Sequence, residues 1–541
     1  MITIGYSTRK ENPQFREYLK KSAGHPKVNI IEKINNGEKS LTEVYNEILN
    51  ESKDDILVLL HDDIYFEKNG WARKIIKHFE ESDYGILGVA GSTFLPKSGQ
   101  WWEDRGKMVG IVNHEHQGKK WESKYSDSLG SDIHKTIIVD GLFIALSKQR
   151  IKKSFNENVK GFHFYDVDFC FRNFLDDVKI GVIFDIRVTH KSIGMTNDEW
   201  EKNKNQFAET YSNQLPQKIK KTKEDKLKIL IGCLSFMNFT GSELYVYELS
   251  KSLAKKGHDV TIIANQIGKP LTDFTKKYGV KVISFSNPPG FKMGDGIWSF
   301  QTPQGVVKSE KNKLYKTSEV NYDIMLVQHT PIVESLCTMY PTSDKISIIH
   351  SEVISLENPY IHNSIKKYIC IRPEIKEHII NNFGIDEKMT TVIYNPIDEE
   401  RFNLNNITSG DYILFVGTID YLRKNAIYDL ADYAKSINKE LWLVGENKSN
   451  YLDDLLTDKN VKHFKSTFNV EKYTKNCFET GGILLGRTTI EGWACGKPGW
   501  IYDVDSDGNI LSKTRYDIPN DLIKYSSENI TNEIINEYLS L

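Results

Sequence analysis

Residues 55–66 read DILVLLHDDIYF. The aliphatic run Ile56–Leu60 is too short for a helix and too apolar for a strand wetted on one face. It predicts a strand buried on both sides within a largely parallel sheet. The run ends at His61, Asp62 and Asp63. In parallel α/β sheets, ligands bind beyond the carboxyl ends of strands. Two adjacent carboxylates there are costly unless a cation or solvent compensates them, and a hard divalent ion that also grips a diphosphate is the natural partner. Asp-Asp at a strand end is also ordinary turn chemistry, so the dipeptide alone leaves both readings open.

Outward from this run, strands are expected at Ile2–Ser7, Val28–Ile34, Ile86–Ala90, Ile137–Leu146 and Ile180–Val188, with helices at Ser40–Leu49 and Trp71–Phe79 between them. Alternating β and α elements joined by short connections define an α/β domain. The stretch Pro96–His134 carries Trp101, Trp102 and Trp121 among glycines and polar residues. It reads as a long loop, and loops of that length are usually functional.

Two later segments add chemistry to the strand end. GFHFYDVDFCFR (161–172) supplies Asp166 and Asp168 where a helix begins. Asp166 is a candidate general base, able to take a proton from a hydroxyl nucleophile, while Asp168 is equally suited to capping that helix. IRVTHKSIG (186–194) places His190 after another strand, completing an Asp/His ligand set.

With these residues in place, positions 1–215 resemble a family 2 glycosyltransferase of the GT-A fold. The resemblance is carried by ITIGYST (2–8), the helix SLTEVYNEIL (40–49), LHDD (60–63), VDGLFIAL (139–146), FYDVDFCFR (164–172) and VTHKSIG (188–194), in the family's order. It implies donor contacts from Ser7, Asn46, Asp62 and Asp63, a divalent cation (Mn²⁺ or Mg²⁺) held by Asp63 and His190, and Asp166 as catalytic base. The family's first motif Asp is His61 here, and its Glu before the base is Tyr165. Such enzymes invert the anomeric centre in one displacement.

The pattern then breaks at NQLPQKIKKTKEDKLK (213–228), with six lysines between Lys218 and Lys228 beside Glu224 and Asp225. This run fits a solvated linker or a patch for anionic lipid headgroups. A second α/β pattern follows. Leu227–Leu234 is a strand, FMNFTG (236–241) a loop, a helix starts near Ser242, and His258–Ala264 is the next strand. This is a unit of Rossmann type, with Gly257 as the helix stop. Another begins near Asp411 with YILFVGTID, a helix over Ala426–Ile437 and LWLVGE.

Within this half, FTGSE (239–243) sets Gly241 at a helix start, where N–H groups and the helix dipole favour an anion. ISIIHSE (346–352) ends a strand at His350. GTIDYLRKN (417–425) brings Arg423 and Lys424 just after a strand, suited to phosphate. GRTTIEGWACGKPG (486–499) puts Thr488 and Thr489 at a helix start and Glu491 in its first turn. Together with VIYNPIDEERF (392–402), these segments resemble a family 4 glycosyltransferase of the GT-B fold over roughly 227–541. The resemblance implies Gly241 as an acceptor-lobe loop near the phosphate and His350 as the catalytic-site contact to sugar and phosphate. It also implies Arg423 and Lys424 as diphosphate ligands, Thr488 among the donor contacts, Glu491 as a ribose ligand, retention of configuration and no metal. The family's E-x7-E motif would place its first Glu at 483, where this chain has Ile483.

Composition narrows the remaining classes. The chain has 541 residues, 71 basic and 73 acidic, a net charge of −2, 39% hydrophobic and 27% charged residues. That excludes a disordered chain and a collagen-like repeat, and argues against a nucleic-acid binder, which would show a basic surplus. The six cysteines form no C-x-x-C pair, so neither a zinc site nor a disulfide framework is expected. The first residues, MITIGYSTRKENPQF, lack a signal-peptide core, and no apolar run approaches the ~20 residues of a membrane span. The expectation is a cytoplasmic protein, with contact to the inner face of the membrane left open by the lysine run.

The two resemblances imply an α/β chain with a GT-A domain (1–215), a lysine-rich linker (216–226), a GT-B acceptor lobe (227–398) and a GT-B donor lobe (399–541). The implied activity is a bifunctional glycosyltransferase that uses nucleotide-sugar donors, UDP-sugars first, on a glycan or lipid-linked glycan. The implied product is a bacterial surface polysaccharide such as O-antigen or capsule. The alternative is one active transferase whose degenerate partner domain binds the acceptor or measures chain length. A non-catalytic carbohydrate-binding scaffold is the reading from another class.

Overall fold

A computed structural model describes the chain except residues 127–131, 193–195, 287–288, 290, 296–297, 303–304, 310–311, 317–321 and 449–450, with backbone alone for the strands between 291 and 316. The end of VTHKSIG and part of Pro96–His134 therefore lie outside the described residues. The chain divides into two compact units, Met1–Lys220 and Lys221–Leu541.

In the first unit the strands are β1 (Ile2–Thr8), β2 (Val28–Ile34), β3 (Ile56–Leu60), β4 (Ile64–Phe66), β5 (Ile86–Gly88), β6 (Ala90–Ser92), β7 (Phe94–Leu95), β8 (Met108–His116), β9 (Lys119–Lys124), β10 (Ile133–Thr136), β11 (Ile138–Val139), β12 (Phe143–Ser147), β13 (Ile180–Ile183), β14 (Val188–His190) and β15 (Gln217–Lys218). Its helices are α1 (Pro13–Ala23), α2 (Leu41–Glu51), α3 (Trp71–Glu81), α4 (Tyr165–Leu175) and α5 (Asp198–Thr210). The main sheet runs β10-β13-β5-β12-β3-β1-β2, and a second runs β11-β6-β8-β14-β4 with β9 paired to β8. β3 is parallel to β1 and antiparallel to β12, so the sheet is mixed at its centre.

The expected two-sided burial of β3 is observed. Leu57 and Leu59 enter one core cluster and Val58 and Leu60 the other, all fully buried. Each such side chain contributes about 1.5–3 kcal/mol. Helix α2 begins with a capping box in which Ser40 and Glu43 satisfy each other's backbone N–H groups. Its Val44, Tyr45 and Ile48 are buried against the sheet.

Pro96–His134 is not the long loop expected from its glycines and polar residues. It contains the hairpin β8–β9, paired from Ile111↔Lys124 to His116↔Lys119. A strand wetted on its outer face is polar by sequence, which hides it from a search for apolar runs. Within the lysine-rich stretch, Gln217–Lys218 pairs with β7, and Lys221 lies 3.4 Å from Asp323.

The second unit holds two Rossmann-like sheets. The first contains β16 (Lys228–Phe236), β17 (Asp259–Ile267) and β18 (Lys281–Ser284). The segment that follows carries the short hairpin strands β19 (Phe291–Asp295), β20 (Trp298–Thr302), β21 (Gly305–Ser309) and β22 (Asn312–Lys316). The sheet resumes with β23 (Ile324–Gln328), β24 (Lys345–Ile349), β25 (Ile365–Cys370) and β26 (Thr390–Val392). Its order, β18-β17-β16-β23-β24-β25-β26, is parallel throughout. The second sheet comprises β27 (Tyr412–Val416), β28 (Glu440–Val444), β29 (Val461–Phe464), β30 (Glu479–Ile483), β31 (Gly499–Val504) and β32 (Ile510–Tyr516), in the order β29-β28-β27-β30-β31-β32. Both reverse strand order beside their first strand, the switch point at which such sheets bind ligands.

The helices of this unit are α6 (Gly241–Lys255), α7 (Leu271–Lys276), α8 (Thr330–Met339), α9 (Pro373–Phe383), α10 (Tyr421–Ser436), α11 (Glu471–Thr474), α12 (Arg487–Ala494) and α13 (Ser527–Leu539). The sequence reading carries the donor lobe to residue 541, but α13 returns to the first lobe. Ile530, Ile534 and Ile535 join the first lobe's core, and Thr531 Oγ1 lies 2.8 Å from Ser252 Oγ on α6. The apolar face of α13 does not reveal which lobe it covers.

Candidate functional site

In the first unit, β3 delivers His61, Asp62 and Asp63 to the sheet's carboxyl edge, and His190 arrives at the end of β14. The ligand atoms of His61, Asp63 and His190 lie within 4.8 Å of one another. Asp63 Oδ1 is 3.3 Å from His190 Nε2. It is buried and makes no hydrogen bond among the described residues. Burial works against its charge, but His190 outweighs this and holds its pKa at about 2. Burial, reinforced by His190, pushes His61 down to about 4, so its imidazole is neutral at pH 7. His61 Nε2 is 2.8 Å from the Tyr165 hydroxyl. A neutral imidazole, a second histidine and an ionised carboxylate with a bare buried oxygen fit a divalent cation. His61, which the motif comparison leaves as a departure, thus joins Asp63 and His190.

The adjacent carboxylates face different partners. Asp62 Oδ2 accepts a 2.8 Å hydrogen bond from Thr8 Oγ1 at the end of β1, whereas Asp63 meets His190 of β14. Thr8 was invisible in the sequence. Its neighbour Ser7 is half-buried at the same strand end.

Asp166 lies in the first turn of α4. Burial, and then the charge of Asp140, push its pKa up to about 7, against the lowering effect of backbone N–H groups. One of these is Gly141 N–H, which donates to Asp166 Oδ2 at 2.9 Å. Sequence reasoning missed Asp140, which burial also raises. Asp168 is buried and accepts from Tyr211 Oη at 3.0 Å, anchoring α4 to the end of α5.

Asn46 does not stand as a free donor contact. Its Nδ2 donates to Phe155 O at 2.9 Å and to Glu157 Oε1 at 2.8 Å, and its Oδ1 accepts from Phe155 N at 3.0 Å. Both ends of the amide bind α2 to the 155–157 segment. The expected donor contact thus falls on an amide already held within the chain.

In the second unit, Gly241 opens α6 after Thr240, and a side chain there would meet open space. The loop before it is shaped by buried Glu243, which accepts from Ser235 Oγ (2.6 Å), Met237 N (3.1 Å), Asn238 N (3.1 Å) and Thr240 Oγ1 (2.7 Å). The chain's own carboxylate thus takes the N–H groups of the loop that precedes the helix start.

His350, after β24, has Nε2 2.6 Å from Gln328 Oε1. Nε2 is therefore the donor, and Nδ1 of the neutral ring is an acceptor. Tyr245 presses edge-on against its ring, with centroids 4.9 Å apart. Burial pushes His350 down to about 3 and neighbouring Glu357 up to about 8, so both are neutral at pH 7. Glu357 accepts from His350 N at 3.2 Å. Gln328 and Glu357 were not anticipated, since each is ordinary until β23 and β24 lie side by side.

Arg423 and Lys424 fall in the first turn of α10, with Arg423 paired to Asp420 and Lys424 Nζ 5.9 Å from the Tyr428 ring. Thr488 Oγ1 donates to Val416 O at 3.1 Å, tying α12 to β27, so its hydroxyl proton is already engaged. Glu491 is buried and accepts from Arg487 Nε at 2.6 Å. Arg487 NH2 in turn lies 3.5 Å from Glu248 Oε1 on α6. Arg401 NH1 is 3.7 Å from the same oxygen. Ile483 closes β30 and packs on the donor lobe's core.

Sheets that gather charged and imidazole side chains beyond their strand ends have the arrangement in which α/β proteins bind their ligands. Residues 18–211 match the family model described as Glycosyltransferase like family, and residues 239–401 match Glycosyltransferase Family 4. The chain is a glycosyltransferase in which a family 2-like domain precedes a Family 4 domain. Among solved structures, it is similar to a glycosyltransferase from Rickettsia africae at 15% identity, over 58% of this chain and 89% of that one, with a TM-score of 0.36. It is also similar to Anabaena HepE in complex with UDP and glucose, at 13% identity, over 58% of this chain and 92% of that one, with a TM-score of 0.39. Comparison with curated proteins finds no match.

Proposed function

We propose that the chain is a bifunctional glycosyltransferase, with an inverting, metal-dependent site in residues 1–215 and a retaining site between an acceptor lobe (227–398) and a donor lobe (399–541). The observation that carries this reading is that each unit has its own candidate set: His61, Asp63 and His190 clustered in one, with Asp166 in the first turn of α4, and in the other His350 against Tyr245 of α6, with Arg423 and Lys424 in the first turn of α10.

In the first site, Asp166 takes the proton of an acceptor hydroxyl. The oxygen attacks the donor's anomeric carbon from the face opposite the leaving group. The bond to the diphosphate breaks, its electron pair leaves with the phosphate, and configuration inverts. A pKa of about 7 lets Asp166 be both ionised and basic at neutral pH. His61, Asp63 and His190 would hold the cation, whose role when bound is to offset the leaving diphosphate's charge. Two imidazoles and a carboxylate suit Mn²⁺ better than Mg²⁺, which prefers oxygen ligands and its own waters. Asp62, fixed by Thr8, and Ser7 are the nucleotide contacts. In the second site, Arg423 and Lys424 take the diphosphate, His350 the sugar, and Glu491, oriented by Arg487, the ribose.

The donors are UDP-sugars and the acceptor a glycan or lipid-linked glycan, with the product a bacterial surface polysaccharide such as O-antigen or capsule. Among the described residues no helix is long and apolar enough to cross a membrane. The lysines around 218–228 provide the membrane contact of a cytoplasmic protein. The test is sugar transfer by Asp166→Ala and Lys424→Ala in the full chain. Each change removes one product and leaves the other; loss of both products in both variants overturns two independent sites.

A second reading rests on Ile483, which stands where a donor-sugar carboxylate is expected. In that case the Family 4 domain binds acceptor without transferring sugar. Asp166→Asn chain that binds no UDP-sugar in the absence of metal supports this alternative.

A further inference from the structure

The hairpin β8–β9 extends the sheet that carries His190. His190 is registered with His114 on β8, and His114 with Trp121 on β9. Directly registered residues share a sheet face. Two positions back along the strands, Val188 and Val112 lie on that same face in the unit's core, so it is the inner face. Beyond the core, it continues outward past the metal-ligand set. The Trp121 ring stacks on His114 at 5.1 Å and 11°, and His114 lies 6.2 Å from His190. The rest of β9 is polar, yet Trp121 is 41% exposed. A large apolar ring is thus held flat by one neighbour and offered to solvent.

We propose that Trp121, backed by His114, is a stacking platform for a pyranose ring of the acceptor glycan. This rests on the transferase reading of the first unit. Two strand spacings place Trp121 roughly 10 Å from His190, beyond the sugar attached to a diphosphate at His61, Asp63 and His190. The nucleotide belongs on the other side: Asp62 turns to Thr8 on β1, while Asp63 turns to β14, the strand next to β8. An indole presents a large, rigid apolar face at low entropic cost. The C–H face of a hexose is its complement.

The experiment uses the full chain as wild type, Trp121→Ala and Trp121→Phe, with Mn²⁺ and UDP. Saturation-transfer NMR reads binding of the methyl glycosides of glucose, galactose, N-acetylglucosamine, mannose and rhamnose. At least one glycoside is expected to take saturation from the wild type, to keep most of it with Trp121→Phe and to lose it with Trp121→Ala, while the UDP signal is unchanged. Equal glycoside signal in Trp121→Ala, no glycoside signal in the wild type, or loss of the UDP signal instead each overturns the platform. Mn²⁺-dependent donor hydrolysis by a Lys424→Ala chain separately reports whether the first unit is a transferase at all.

Discussion

The amide of Gly141 donates a 2.9 Å hydrogen bond to Asp166 Oδ2, in a space that admits no side chain. A Cβ at Gly141 would overlap the Tyr165 hydroxyl and stand 3.0 Å from Asp166 Cβ. Tyr165 is itself buried and bonded to His61. Gly141→Ala is therefore expected to push both the base and a ligand-bearing partner out of place. Transfer by the first unit should fall about 10²-fold or more, the scale of a misplaced general base, with the second product unchanged. A loss of less than threefold would sink the assignment.

The pH profile of the first activity follows from Asp166. Its carboxyl must be ionised to accept a proton, and burial with Asp140 places its pKa at about 7. The rate should rise about tenfold per pH unit below that value and level off above it. Asp140→Asn removes a raising charge and should move the limb to lower pH. In stability the sign is the reverse of the activity. A raised carboxyl pKa favours the folded state fully below the unfolded value, and this is lost as pH rises through about 7. Asp166→Asn should thus melt higher than the wild type at pH 8, with the gap closing towards pH 5.

Chelation separates the two activities. EDTA should abolish the product of the first unit, spare that of the second, and be reversed by Mn²⁺. His61→Ala removes one of three clustered donors. Tyr165→Phe removes only the hydroxyl 2.8 Å from His61 and should raise the Mn²⁺ concentration for half-activation about 10–100-fold. Unchanged Mn²⁺ dependence in both variants would remove His61 from the site.

Asn46 distinguishes the family pattern from the observed packing. Its amide makes hydrogen bonds to Phe155 and Glu157, so Asn46→Ala leaves buried backbone groups unpaired. A loss of about 1–3 kcal/mol in urea unfolding is expected, with UDP-sugar affinity within twofold of the wild type. The opposite pattern, weaker donor binding at full stability, restores the donor role.

Glu248 links the lobes of the second unit through Arg487, which also holds Glu491. Glu248→Ala leaves the buried Arg487 short of a carboxylate. Removing one partner of a buried pair costs about 3–5 kcal/mol. Faster hydrogen exchange in α6 and α12 and weaker UDP-sugar binding by the second unit should follow. Lys255→Ala, at an exposed pair with Glu400, should cost less than about 1 kcal/mol.

Much of this architecture was legible in advance. Ile56–Leu60 announces itself because a strand buried on both faces needs an unbroken aliphatic run. The β-α alternation around it implies a largely parallel sheet, whereas the sheet is mixed because β12 runs antiparallel to β3 and β5. The segments that carry Asp63, Asp166 and His190 stood out because strand-end and helix-start residues stand in a family's order. The hairpin β8–β9 was not, because its outer face is polar. Nor was the destination of α13, because an amphipathic helix records that it is covered, not by what.

The sequence by itself determined the α/β class and the positions at which charged and imidazole side chains leave the strands. These follow from local periodicity and from groups adjacent in the chain. Only the tertiary structure decided the partnerships. Thr8 and Asp62 are 54 residues apart, Gly141 and Asp166 are 25 apart, and Arg487 and Glu248 are 239 apart. The packing of the sheets sets those distances, and with them it raises the pKa of Asp166 to about 7, brings His61 beside Asp63 and His190, ties Asn46 to the 155–157 segment and registers Trp121 with His114.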